Sequence, residues 1–110
     1  MGNESSKAPF TRIRAFEWDE KKRLRVLRDR EIDFVDAAKI LFGQVYEYRS
    51  ERKGEERFVA IGPMEDGTLI AVIYTVRATK LRIITARQAR TNEQRAYLHA
   101  LSASPDEGAD

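Results

Sequence analysis

The run LIAVIYTV, residues 69–76, is apolar on both of the faces that an extended strand presents. A strand with one wetted face alternates apolar and polar side chains, and this one does not. It predicts a central strand in a sheet covered on both sides. Its neighbours read in the same terms. RFVAIGP (57–63) precedes it across MEDGT, whose Asp66-Gly67 step signals a turn, and LRIITAR (81–87) follows the short turn RATK. QVYEYR (44–49) alternates as a half-buried strand does, and SERKGEE (50–56) reads as a loop.

Upstream, RIRAFEW (12–18) reads as a short strand, with Ile13, Ala15 and the aromatics supplying a buried edge. Asp19 is an N-cap candidate for a helix over EKKRLRVLRDR (20–30), where Leu24, Val26 and Leu27 form a narrow apolar stripe beneath a basic face. Asp33 opens a second helix that sets Phe34, Ala37, Ala38 and Leu41 on one side, with Gly43 as its stop. TNEQRAYLHAL (91–101) predicts a last helix capped by Thr91, with Ala96, Tyr97, Ala100 and Leu101 packed. The order β-α-α-β-β-β-β-α describes an α+β domain with a mostly antiparallel sheet of about five strands. At 110 residues the chain supports one core. The domain is expected over 11–101, between a flexible arm (1–10) and an acidic tail (102–110).

The chain has no cysteine, which excludes disulfides and thiolate metal sites, and its one histidine, His99, lacks clustered partners. No metal or cofactor is expected. A net charge of +2 hides an uneven distribution. Lys21, Lys22, Arg23, Arg25, Arg28 and Arg30 stand against Asp29 alone, and Arg77, Lys80, Arg82, Arg87, Arg90 and Arg95 against Glu93 alone. Such clusters suit a polyanion or an acidic protein as partner. Without an apolar leader or a membrane-length run, the reading is a cytoplasmic protein with no membrane contact.

Three stretches carry chemistry. FEWDEKK leads from an aromatic, acidic strand end into the basic helix. In GEERFVAIG, Glu55 and Arg57 lie two apart and so share one face of a strand. In RIITARQAR, Arg82 lies on a strand while Arg87 and Arg90 surround the start of the last helix, where backbone N–H groups already favour anions. These pieces, in their order and spacing, resemble the BrnT family of type II toxin–antitoxin toxins. The likeness spans roughly Phe16 to Leu101. It rests on FEWD, on Lys22 four residues after Trp18, on Phe34 before an Ala-containing helix, on GEERFVAIG and on RIITARQARTNEQRAYL.

The resemblance implies a RelE-like fold and a ribonuclease that halts translation. It also implies a BrnA-type ribbon-helix-helix antitoxin as partner in a hetero-oligomer, with operator DNA bound only through that complex. RNA supplies its own nucleophile, the 2′-hydroxyl, so a metal-independent mechanism needs a base and cations. Glu55 is the candidate base. Arg57 and Arg82 are candidates to hold the phosphate, supported by Arg87 or Arg90, with Arg30 or Lys22 adding charge from the helical side. Trp18 is a candidate for stacking on a base, although a core anchor is the stronger reading. One departure stands out. Family members usually carry Lys-His-Gly where this chain has Asp29, Arg30 and Glu31, so the implied active-site histidine is Arg30 here. Arginine cannot shuttle a proton near neutral pH. Glu31 in place of glycine suggests a different helix ending. A binding module that keeps the antitoxin interface but has lost catalysis, acting as corepressor or decoy, is therefore the second reading.

Overall fold

The computed structural model describes residues 15–102. Its elements are β1 (Ala15–Trp18), α1 (Glu20–Arg30), α2 (Phe34–Ile40), β2 (Tyr46–Arg52), β3 (Glu55–Pro63), β4 (Leu69–Arg77), β5 (Lys80–Gln88) and α3 (Thr91–Ser102). The strands form one sheet in the order β1-β5-β4-β3-β2, parallel between β1 and β5 and antiparallel elsewhere. This is the expected α+β order. The arm at 1–10, Ile13 and residues 103–110 of the tail lie outside the described residues.

β4 is the central strand, as its two apolar faces require. Ile70, Val72 and Tyr74 face one core layer, with Val26 of α1, Phe34, Ala37, Ala38 and Ile40 of α2, and Leu81 and Ile83 of β5. Ala71 faces the other layer, with Val59 and Ile61 of β3 and Tyr97 of α3. Close approach of α2 depends on Gly62: a Cβ there would lie 2.6 Å from Ile40 Cγ2.

Both aspartate caps form. Asp19 Oδ1 accepts from the Lys21 N–H at 2.9 Å, and Asp33 Oδ1 from the Val35 N–H at 3.0 Å. The stripe on α1 is thinner than expected, because Val26 alone is buried while Leu24 and Leu27 are exposed. Polar ties supplement it. Arg23 Nη1 donates to both carboxylate oxygens of Asp33 at 3.1 Å, and Arg30 Nη1 donates to the Ala86 carbonyl at 2.7 Å.

Three expectations are corrected. SERKGEE is not a loop: β2 and β3 run into it and only Lys53 and Gly54 turn, with φ of 54° and 82°. Two successive left-handed residues match the twist of a two-residue hairpin, so charged side chains that read as loop become strand. On α3, Glu93 and Tyr97 are buried while Ala100 and Leu101 are exposed, because the last turn is left uncovered. Thr91 is the first residue of that helix rather than its cap; Glu93 Oε1 reaches back to the Arg90 N–H at 2.8 Å.

Glu31 also departs from expectation. It takes the glycine conformation anyway, with φ 60° and ψ 35°, and its N–H donates to the Leu27 carbonyl as in a glycine-capped helix. A side chain in this region costs on the order of 1 kcal/mol. Glu31→Gly is therefore expected to raise unfolding stability by about 1 kcal/mol, read as a higher urea midpoint at unchanged slope, whereas Glu31→Ala is not. A lower midpoint for the glycine variant would count against the strain.

Candidate active site

Side chains two apart on β3 share a face, so Arg57 and Glu55 continue the face that Val59 and Ile61 present to α3. That face is apolar where α3 covers it and charged beyond. In register, Thr75 lies beside Arg82 and Arg82 beside Glu17. The Phe58–Tyr74 pairing sets Arg57 next to Thr75 in turn. A polar row thus crosses β3, β4, β5 and β1.

An extra residue in β5 shapes this face. The β4–β5 register shifts between Tyr74, paired with Ile83, and Ile73, paired with Thr85, so Ile84 is unpaired. Arg82 and Arg87 are five apart and would point oppositely in a regular strand. The bulge puts both on the α3 side, opposite Thr75 and Ala71 respectively.

Lys22, Glu55, Arg57 and Arg82 line one depression of about 200 Å³, together with Asp19, Thr75, Arg77, Ile83 and Ile84. Arg57 Nε lies 3.3 Å from Glu55 Oε1, Arg77 Nη2 3.2 Å from Glu55 Oε2, and Arg82 Nη1 3.6 Å from Glu17 Oε2. The hydrogen bond from Arg77, with that from Arg57 and their charges, lowers the Glu55 pKa below the usual carboxylate range. Lys22, half-buried, has its pKa lowered by burial and then by the charges of Arg25, Arg57 and Arg30. Among the described residues, four cations against two carboxylates make the depression suited to an anion. A larger groove of about 500 Å³ between α2 and the β3–β4 turn has Asp36, Glu65 and Asp66 against Lys39 alone, the wrong balance for phosphate.

The other candidate residues sit elsewhere. Arg30 does not line the depression: its Nη1 is held by the Ala86 carbonyl and, at 3.3 Å, by Thr85 Oγ1. Arg87 is engaged through both terminal nitrogens by Glu93, at 2.8 and 2.9 Å. Arg90 is exposed at the start of α3. Trp18 packs edge-on against Phe34, ring centroids 6.1 Å apart, and its indole N–H donates to Glu20 Oε1. Among the described residues, sequence reasoning missed Arg77. The strand register carried the signal, because extending the β3–β4 pairing by three residues sets Glu55 against Arg77.

Residues 18–93 match the family described as ribonuclease toxin, BrnT, of type II toxin–antitoxin system. The crystal structure of the Brucella abortus ribonuclease toxin BrnT is similar at 30% identity and a TM-score of 0.52, covering 70% of this chain and 97% of that one. The chain belongs to the BrnT family. No curated protein matches it. Membership in a type II toxin–antitoxin family implies an antitoxin partner. Among the described residues no helix is long and apolar enough to cross a membrane.

The family match ends at Glu93, which is 2% exposed and carries the main polar tie of α3 to the sheet. Its carboxylate accepts from Arg87, from the Tyr48 hydroxyl at 2.6 Å and from the Arg90 N–H. These partners, Arg87 foremost, bring its pKa down from 4.5 to about 2. A folded-state pKa below the unfolded one gives stability that is complete above about pH 4.5 and is lost as pH falls towards 2. Glu93→Gln should cost about 2–3 kcal/mol at pH 7 and far less near pH 2. Urea unfolding across that range checks it, and variant and native curves that run parallel would refute the assignment.

Proposed function

We propose that this BrnT-family chain is a metal-independent endoribonuclease that cleaves RNA by 2′-hydroxyl attack and so inhibits translation. The gathering of Glu55, Arg57, Arg82 and Lys22 around one depression carries the reading. Cleavage needs the 2′-hydroxyl aligned with the phosphate, its proton accepted, the phosphorane charge neutralised and the leaving 5′-oxygen protonated. Glu55 accepts the proton. Its arginine neighbours keep it ionised and orient it, at some cost in basicity. Arg57 and Arg82 hold the phosphate from either side of Thr75 in the polar row, and Lys22 adds charge from α1. Arg87 and Arg90 extend the positive face towards α3, where flanking phosphates would lie. In the cell, a BrnA-type ribbon-helix-helix antitoxin neutralises the chain in a hetero-oligomer, and operator DNA is met only through that complex.

Arg30 favours a second reading, a catalytically impaired module that binds the antitoxin as corepressor or decoy. It stands where the family resemblance implies a histidine, and its guanidinium is committed to the β5 backbone.

Purified chain freed of antitoxin, incubated with single-stranded RNA in chelator, is expected to yield fragments ending in 2′,3′-cyclic phosphate and to leave DNA intact. Glu55→Ala should lower the rate by about 100-fold or more. Cleavage by Arg30→His but not by the native chain would establish the second reading instead.

A further inference from the structure

We infer that Lys22 is the general acid of this site, the group that delivers a proton to the leaving 5′-oxygen. The inference rests on the ribonuclease reading and supplies the one task left unassigned there.

An inventory of protons leads to it. Arg57, Arg77 and Arg82 line the depression but stay protonated throughout the neutral range and cannot act as donors that turn over. Glu55 is ionised and takes the 2′-proton. Asp19 is committed to capping α1 through its Oδ1. The Thr75 hydroxyl donates to the Glu56 carbonyl at 2.9 Å, and its loss of a proton would leave an alkoxide. Among the described residues, no tyrosine or histidine lines the depression. Tyr48 is bonded to Glu93, and His99 is exposed in the last turn of α3. Arg30, at the position of the family's histidine, is bound to β5 and has no proton to give. Lys22 remains.

Its placement suits the role. Glu55 enters from β3, and Lys22 from the helix that follows β1, with β4 and β5 between them in the sheet. Base and acid thus come to the one depression from different elements, and a phosphodiester bound there would lie between two separate groups, as in-line displacement requires. Around Lys22 stand Arg25 and Arg30 on its own helix, Asp19 at the cap, and Glu55, Arg57, Arg77 and Arg82 on the strands. The cations among them and partial burial make the ammonium a readier donor than a solvated lysine.

The step balances. Glu55 removes the 2′-proton as the 2′-oxygen forms its bond to phosphorus. The P–O5′ bond breaks, and the 5′-oxygen takes a proton from the Lys22 ammonium. The products are a 2′,3′-cyclic phosphate and a 5′-hydroxyl. Protonated Glu55 and the neutral Lys22 amine then return to their starting states through water.

The test uses an oligodeoxynucleotide with one ribonucleotide, made with either an oxygen or a sulfur at the scissile 5′ position. A thiolate leaves without protonation, so the sulfur substrate needs no general acid. Lys22→Arg keeps the charge but removes the donor. It is expected to cleave the oxygen substrate about 100-fold or more slowly and the sulfur substrate within about threefold of native. Retained sulfur cleavage also reports that the variant is folded. With native chain, which needs no variant to fold, the high-pH fall in rate should appear with oxygen and vanish with sulfur. Equal losses on both substrates, no loss on oxygen, or the same high-pH limb on both would overturn the assignment of Lys22. Native chain that cleaves sulfur but not oxygen would overturn it as well, since no acid then operates. Native chain that cleaves neither would remove the ribonuclease reading, and this inference with it.

Discussion

Glu93 is a carboxylate that the fold withdraws from water, and the position of α3 follows from it. A buried carboxylate is tolerated only when hydrogen-bonded and paired, and here Arg87, Tyr48 and the Arg90 N–H divide that task among β5, β2 and the start of the helix. The helix is thereby fixed over one half of a sheet face, with Tyr97 one turn further along against Val59 and Ile61. Where that cover ends, the same strands change from valine and isoleucine to Arg57 and Glu55. The candidate site is the part of the second face that α3 leaves open. Arg87, a candidate to support the phosphate, is also the cation that lets the helix close over its half.

Such a division of labour was only partly visible in the sequence. The apolar run of β4, the two aspartate caps and the Asp66-Gly67 turn act within a few residues of themselves, and each gave the element expected. What escaped depends on partners distant in the chain. Lys53 and Gly54 form a two-residue turn, but surrounded by charges they read as part of a longer loop. Ile84 is an unremarkable residue in an apolar strand, and only pairing with β4 makes it a bulge. Glu93 figured only as the lone acid of a basic stretch, because nothing local says that Tyr48, 45 residues earlier, will meet it. Glu31 shows the opposite failure: a residue disfavoured in the left-handed region adopts it because the contacts of α1 and α2 set the turn between them.

Within the site the same limit applies. Glu55 and Arg57 were legible as a pair because an extended strand puts alternate residues on one face. Arg82 could be placed on a strand, but its alignment with them needed the sheet order β5-β4-β3. Arg77 falls in RATK, which reads as a turn. In the fold it is the second guanidinium on Glu55, which leaves that carboxylate held from both oxygens. A carboxylate fixed in this way has less orientational freedom to lose than a solvated glutamate.

The basic and acidic residues at the end of α1 can now be separated by function. Arg28 and Asp29 pair with each other in solvent, an interaction of little energetic consequence. Arg30 ties the last turn of the helix to the backbone just beyond the β5 bulge. An imidazole is too short to reproduce a guanidinium's reach, so arginine at this position acts as a brace and not as a titratable group. α1 carries Lys22 two turns earlier, at its opposite end, where it lines the depression with Glu55 and the arginines. Of the two, Lys22 lines the depression and Arg30 does not, and an ammonium, unlike a guanidinium, can give up a proton.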